Sequence, residues 1–200
     1  MLHGLGKSTE SFAKLVNNMQ NNVDIYLIDL LGHGNSDKPK INYSIEVQIN
    51  ILNKFIKKIK YNDFYLLGHS YGGFIALKYL AKFGTKQIKG LILEDSAGLK
   101  EYFDLIQLEK NFIGKQLDYA LKFKANRKFV IKSILQNLKD SDLIDLSYLN
   151  KPTLILWGKE DDVIKLDFAK KFKSKIKKSS IKIIQYLRII QLSLKTHVKI

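Results

Sequence analysis

The chain has no cysteine, which excludes a disulfide framework and any thiolate metal site, and agrees with a cytoplasmic setting. It has no run of eighteen or more apolar residues, so no transmembrane helix is expected. The opening Met1-Leu2-His3-Gly4 lacks the charged and then apolar order of a signal peptide. Arginine is scarce as well, occurring only at positions 127 and 188. That scarcity weighs against a nucleic-acid role despite a formal charge of +15, since base readout and bidentate phosphate contacts favour arginine. The cations are scattered lysines on polar helix faces. The densest run, Lys170 to Lys178, reads as the wet side of a helix whose apolar side is Phe168, Phe172 and Ile176. Neither a membrane nor a nucleic acid is expected as partner. No internal repeat or low-complexity linker interrupts the 200 residues, and 46% hydrophobic content suits one core-bearing domain.

What is present is organised around Phe64-Tyr65-Leu66-Leu67-Gly68-His69-Ser70-Tyr71-Gly72-Gly73. A short apolar run ends in G-x-S-x-G, and a segment of helical period follows through Ile75 and Tyr79. Strand, abrupt turn and helix are the context in which this pattern is a nucleophile elbow. The serine at such a turn presents its hydroxyl away from the backbone, and the flanking glycines let strand and helix approach. The pentapeptide alone arises by chance in roughly one chain in twenty of this size, and a plain turn serine is the competing reading.

Upstream, Leu2 to Ser8 has the form of a strand end entering a glycine turn, and Phe12, Leu15, Val16 and Met19 mark a helix capped by Ser8 or Thr9. Asp24 to Asp29 is expected as a short strand, followed by a loop dense in turn residues from Leu30 to Pro39. Ser44 is expected to cap a helix with apolar positions 45, 49, 52, 56 and 59. Gly84 is the expected stop of the elbow helix, and Ile88 to Glu94 the next strand. From Leu99 to Leu149 the pattern turns helical and aromatic. Strand character returns at Pro152–Trp157 and again at Ile181–Leu187. Strands separated by helices predict an α/β fold with a mainly parallel sheet and flanking helices. The core is expected in 1–98 and 150–200, with 99–149 as a small helical lid insertion.

Four stretches together resemble the α/β-hydrolase superfamily, of the lid-bearing esterase and C–C hydrolase type. His3-Gly4-Leu5-Gly6 is similar to the H-G-x-G turn, and Asp29 to Pro39 to the D-x-x-G-x-G-x-S-x-x-P loop. Gly68 to Gly73 is similar to the elbow, and Trp157-Gly158-Lys159-Glu160-Asp161 to the W-G-x-x-D acid turn. The resemblance implies Ser70 as nucleophile, the backbone N–H groups of Leu5 and Tyr71 as oxyanion hole, and Asp161 as the triad acid, with Asp162 and Asp95 as rivals. It implies a serine hydrolase acting on a small ester or related acyl compound through an acyl-enzyme, with no metal and no cofactor. His3 and His33 are expected to hold loop geometry, and His69 to point into packing.

At both ends the chain departs from the pattern. Where a G-H turn is normal it reads Leu187-Arg188-Ile189-Ile190-Gln191, which leaves His197, 36 residues beyond Asp161, as the one histidine able to act as base. In front of the H-G turn stand Met1-Leu2 alone, so the strand between 24–29 and 64–67 is expected to be lost and its neighbours' backbone groups unpaired. A truncated N-terminus and a divergent C-terminus are expected on these grounds. The alternative function is a catalytically dead fragment or a ligand-binding relic of the same fold. Aromatic side chains at Tyr102, Phe103, Phe112, Tyr119 and Phe123 suit either an apolar acyl group or packing of the lid on the sheet.

Overall fold

The structure, a computed structural model, describes residues 1–19, 23–99, 125–139, 145–161 and 163–185. Four strands, β1 (Phe64–His69), β2 (Ile88–Glu94), β3 (Thr153–Gly158) and β4 (Ser179–Ile184), lie side by side in chain order, every pair parallel. Each parallel neighbour needs a crossover, and the helices provide it. After a 3₁₀ turn (Thr9–Phe12) come α1 (Ala13–Asn17), α2 (Ile45–Ile59), α3 (Tyr71–Phe83), α4 (Ala125–Lys139) and α5 (Asp167–Lys175). Helix α3 joins β1 to β2, α4 lies on the longer path from β2 to β3, and α5 joins β3 to β4.

The elbow helix α3 is buried on nearly every side, from Tyr71 through Leu77 and again at Tyr79 and Leu80. It packs against β1 on one side and α2 on the other. Helix α2 answers with Ile49, Leu52 and Ile56 at helical spacing, each burial contributing about 1.5–3 kcal/mol. Ser44 caps it as expected, its Oγ accepting from the Val47 N–H at 3.3 Å. Gly84 ends α3 with φ of 83°, its N–H donating to Leu80 O at 2.9 Å, in a conformation that glycine adopts without strain. Helix α5 buries Phe168 and Phe172, with Ile176 just beyond it, and turns its lysines outward.

Three expectations change. Asp24–Asp29 forms no strand; its one ladder contact is a parallel bridge between Leu2 and Ile28. The physical reason is pairing: a strand needs a ladder, and among the described residues Leu2 gives this segment a single bridge. The Met1-Leu2 stub nonetheless fills the central slot: Leu2 donates to Leu67 O at 2.8 Å, accepts from the His69 N–H at 3.0 Å, and is fully buried. Met1 O accepts from Ile28 N at 3.3 Å. The central backbone groups expected to be orphaned are thus partly paired. Second, the last described strand starts two residues earlier than expected and ends at Ile184. Third, neither Ser8 nor Thr9 caps the first helix with its side chain; the Asp29 carboxylate takes the Thr9 N–H instead, at 2.7 Å.

Within 99–149 the described residues hold α4 and a turn at Asp145–Leu149. Helix α4 sends Val130, Ile131, Ile134 and Leu135 into the main core, and Ser133 Oγ accepts from the Tyr43 N–H at 2.9 Å. The aromatic positions from Tyr102 to Phe123 lie outside the described residues.

Candidate active site

The first requirement of a nucleophile elbow is a serine at positive φ at the tip of a strand. Ser70 has φ of 51° and ψ of −116° between β1 and α3. The conformation is held by backbone bonds on both sides. The Ser70 N–H donates to Glu94 O at 2.9 Å, and Ser70 O accepts from Gly73, Phe74 and Ala97 at 3.0–3.3 Å. The neighbouring glycines are there for room. A Cβ on Gly68 would lie 2.6 Å from Gly72 O, and one on Gly72 would strike Leu2 O. On Gly73 it would strike Ser96 Oγ. Real Cβ contacts do not come so close, so strand and helix are packed to the limit that glycine permits.

The H-G turn lies directly against this tip. A Cβ built on Gly4 would be 3.0 Å from His69 Cδ2 and 3.4 Å from Ser70 Cβ, so the Gly4–Leu5 backbone runs beside Ser70. Tyr71 is the first residue of α3, and its N–H has no carbonyl one turn back to bond. The Leu5 and Tyr71 amides therefore sit on the two segments that flank Ser70.

His3 holds that turn. Its Nδ1 lies 2.8 Å from Gly4 O, a carbonyl that can only accept, and its Nε2 accepts from the Leu30 N–H at 3.0 Å. The ring is therefore neutral with hydrogen on Nδ1. Burial lowers its pKa, against smaller opposing pulls from the Gly4 carbonyl and Asp29. Asp29 gathers the loops around it: Oδ1 takes the Thr9 N–H and Oδ2 the Asn35 N–H, each at 2.7 Å. Gly34, at φ of 49°, passes so close to that carboxylate that a side chain there would collide with it. His33 packs its ring 5.1 Å from that of His3. Both histidines hold loops, as their glycine surroundings suggested.

The acid turn begins at the end of β3. Trp157, fully buried, donates its indole N–H to Ile164 O at 2.8 Å and closes the loop across its base. Asp161 Oδ1 accepts from the Val163 and Ile164 N–H groups at 2.8 and 2.9 Å, so its carboxylate is fixed by its own turn. Asp95, at the end of β2, reaches the same corner. Its Oδ1 accepts from the Gly158 N–H at 2.8 Å, and Asp161 is close enough to raise its pKa. The chosen acid and one of its rivals are thus neighbours, while Asp162 and His197 lie outside the described residues.

Glu94 is a neighbour of the site that no motif in the sequence marks. It is buried at the end of β2, and its Oε2 faces His69 Nδ1 at 3.6 Å, too long for a hydrogen bond. Burial, then the neighbouring Asp95, push its carboxyl up to about 7. Burial, then the nearness of Lys7 and His3, lower the His69 imidazole to about 3, although the Glu94 carbonyl pulls the other way. The available signal was a glutamate directly after the apolar run Leu91–Leu93 at the end of a strand. Among the described residues no cluster of His, Cys, Asp or Glu could hold a metal ion. No described helix is long and apolar enough to cross a membrane.

The family profile for the alpha/beta hydrolase fold matches residues 1–133. The chain belongs to that family. Among solved structures, this α/β-hydrolase is similar to an esterase from Exiguobacterium antarcticum, at 26% identity and a TM-score of 0.77 over 92% of this chain and 81% of that one. Among curated relatives it is similar to Lipase 3 of a Moraxella species, at 27% identity over 82% of this chain and 62% of the relative. It also resembles protein phosphatase methylesterase 1 of Candida albicans, at 36% identity over 46% of this chain and 27% of that protein. The chain therefore spans under two thirds of the length of these two relatives.

Proposed function

We propose that this α/β-hydrolase is a serine hydrolase acting on a small ester or related acyl compound. The observation that carries the reading is Ser70 itself: a serine at φ of 51°, at the tip of a parallel strand and the head of a buried helix, with the Gly4–Leu5 turn against it. Such a strained non-glycine residue costs on the order of 1–3 kcal/mol and persists only where the surroundings enforce it. The names of the relatives, esterase, lipase and methylesterase, support the reaction class.

In the proposed reaction His197 takes the Ser70 hydroxyl proton as Oγ attacks the acyl carbon, and Asp161 orients and stabilises the imidazolium. The Leu5 and Tyr71 N–H groups receive the oxyanion, each such donor lowering the barrier by about 3 kcal/mol. The alcohol leaves with the proton from His197, and the acyl group remains on Ser70. Water then attacks, gives a proton to His197, and releases the acid while Ser70 recovers its hydrogen. The lysine-rich surface has no step to perform here, and a cytoplasmic location with no nucleic-acid or membrane partner is part of the same proposal.

The test is fluorophosphonate labelling of the full chain together with hydrolysis of p-nitrophenyl butyrate. Ser70 is expected to be the labelled residue, and Ser70→Ala to abolish both signals. A folded chain that neither labels nor hydrolyses would leave the non-catalytic relic as the better reading.

A further inference from the structure

The nucleophile turn and the acid turn grow from different strands, β1 and β3, with β2 between them. What sets their spacing must therefore pass through the end of β2. The segment there is Glu94-Asp95-Ser96-Ala97, and it is laced to both sides. Toward β1, Glu94 O takes the Ser70 N–H at 2.9 Å and the Ala97 N–H donates to Ser70 O at 3.1 Å. Toward β3, the Asp95 N–H donates to Leu156 O at 3.1 Å, and Asp95 Oδ1 takes the Gly158 N–H at 2.8 Å. Gly158 is the residue from which the acid turn departs.

Asp95 holds this place in a costly conformation. Its φ is 42°, it is not glycine, and it is almost wholly buried. The two strand tips, Ser70 and Asp95, are thus both strained, and the residues around Asp95, Glu94 and Ala97, bond the Ser70 backbone. A strained residue whose side chain bonds the start of the acid turn, and whose neighbours bond the nucleophile turn, is best explained by the two turns it links.

We propose that Asp95 is a positioning residue: its side chain ties the Gly158–Asp161 turn to the nucleophile turn and so sets the distance across which a histidine must bridge Ser70 and Asp161. The inference rests on the ester-hydrolase reading above. Its charge state agrees with a holding role. Burial and the nearby Asp161 push the Asp95 carboxyl up to about 7, against the pull of the Gly158 N–H. Below neutrality it keeps its proton. A carboxyl oxygen accepts the Gly158 N–H in either state.

Two variants separate holding from chemistry, and neither strains the backbone, because glycine and asparagine both accept positive φ. Asp95→Gly removes the acceptor; Asp95→Asn keeps an oxygen there without the ionisable group. In the full chain, Asp95→Gly is expected to lower kcat for p-nitrophenyl butyrate at least tenfold with KM changed less than about twofold. The Gly158 amide should exchange with deuterium at least tenfold faster in it. Asp95→Asn should restore the protection of Gly158 and most of the lost kcat.

Wild-type kcat and unchanged Gly158 exchange in Asp95→Gly would overturn the proposal. So would Asp95→Asn as slow as Asp95→Gly with Gly158 still protected, since Asp95 would then act through its charge. If the wild-type chain neither labels nor hydrolyses, the ester-hydrolase reading falls, and Gly158 exchange in Asp95→Gly still decides whether the tie exists.

Discussion

A single Cβ is a sensitive probe of how tightly this elbow is assembled. At Gly72 it would meet Leu2 O, a backbone atom bridged to the β1 edge of the sheet that has no rotamer by which to retreat. Gly72→Ala should therefore force the β1 tip and the Leu2 stub apart, costing about 1–3 kcal/mol by overpacking. Urea midpoints measure it, and a change under 0.5 kcal/mol, the range of an ordinary surface substitution, would refute the packing described. His3 is a different kind of probe, because its loss removes contacts rather than space. His3→Ala leaves the Leu30 N–H buried without its partner, at about 1–3 kcal/mol, while Gly4 O keeps the Lys7 N–H at 3.1 Å. The same change should loosen the Leu5 turn. The rate of fluorophosphonate labelling is then expected to fall more than stability alone explains, and labelling at the wild-type rate would show that His3 does not position that turn.

At the scale of elements, the two helix starts make a contrast that the sequence alone could not draw. Ser44 and Ser8 look alike as caps, but only Ser44 bonds the N–H three residues on. Ser44→Ala should cost about 1 kcal/mol, while Ser8→Ala should stay within about 0.5 kcal/mol; equal losses in thermal unfolding would contradict the assignment. The element that Ser8 fails to cap is served by Asp29, from 20 residues away, and no local pattern reports a partner at that distance. What was legible was whatever the chain encodes locally: the elbow, α2 with its cap, Gly84, and the strands β1 to β3. The Asp24–Asp29 segment misled because strand formation is a property of pairs. Its residues suit a strand, but Leu2 offers it one bridge. The candidate site divides in the same way. Ser70 was readable from five residues, whereas the pairing of Asp95 with Gly158 joins strand ends 63 positions apart and emerges only once β2 and β3 are neighbours.

At the scale of the whole molecule, two histidines and two buried carboxyls among the described residues near the site pull stability in opposite directions with pH. His3 and His69 are harder to protonate in the folded chain than their ordinary 6.5, so stability from them is complete above that value and is lost as pH falls below it. Glu94 and Asp95 behave inversely. Both are held near 7, against 4.5 and 3.8, so the folded chain keeps protons that the unfolded chain has released. Their contribution is complete below about pH 4 and is lost as pH rises toward 7. Through the range between, the two trends oppose each other, and a rather flat stability profile is expected. Substituting one group should tilt it. Glu94→Gln removes the buried ionisation and leaves an amide that can donate to His69 Nδ1. A shift from 4.5 to about 7 at roughly 1.4 kcal/mol per unit is worth on the order of 3 kcal/mol. Between pH 4 and pH 8, then, Glu94→Gln should gain stability relative to the wild type by an amount of that order. Denaturant unfolding at the two pH values measures the gain. A difference between the two proteins that does not change with pH would mean that Glu94 ionises in the folded chain as freely as in water, and that the β2 end is not the dry, proton-holding corner its burial indicates.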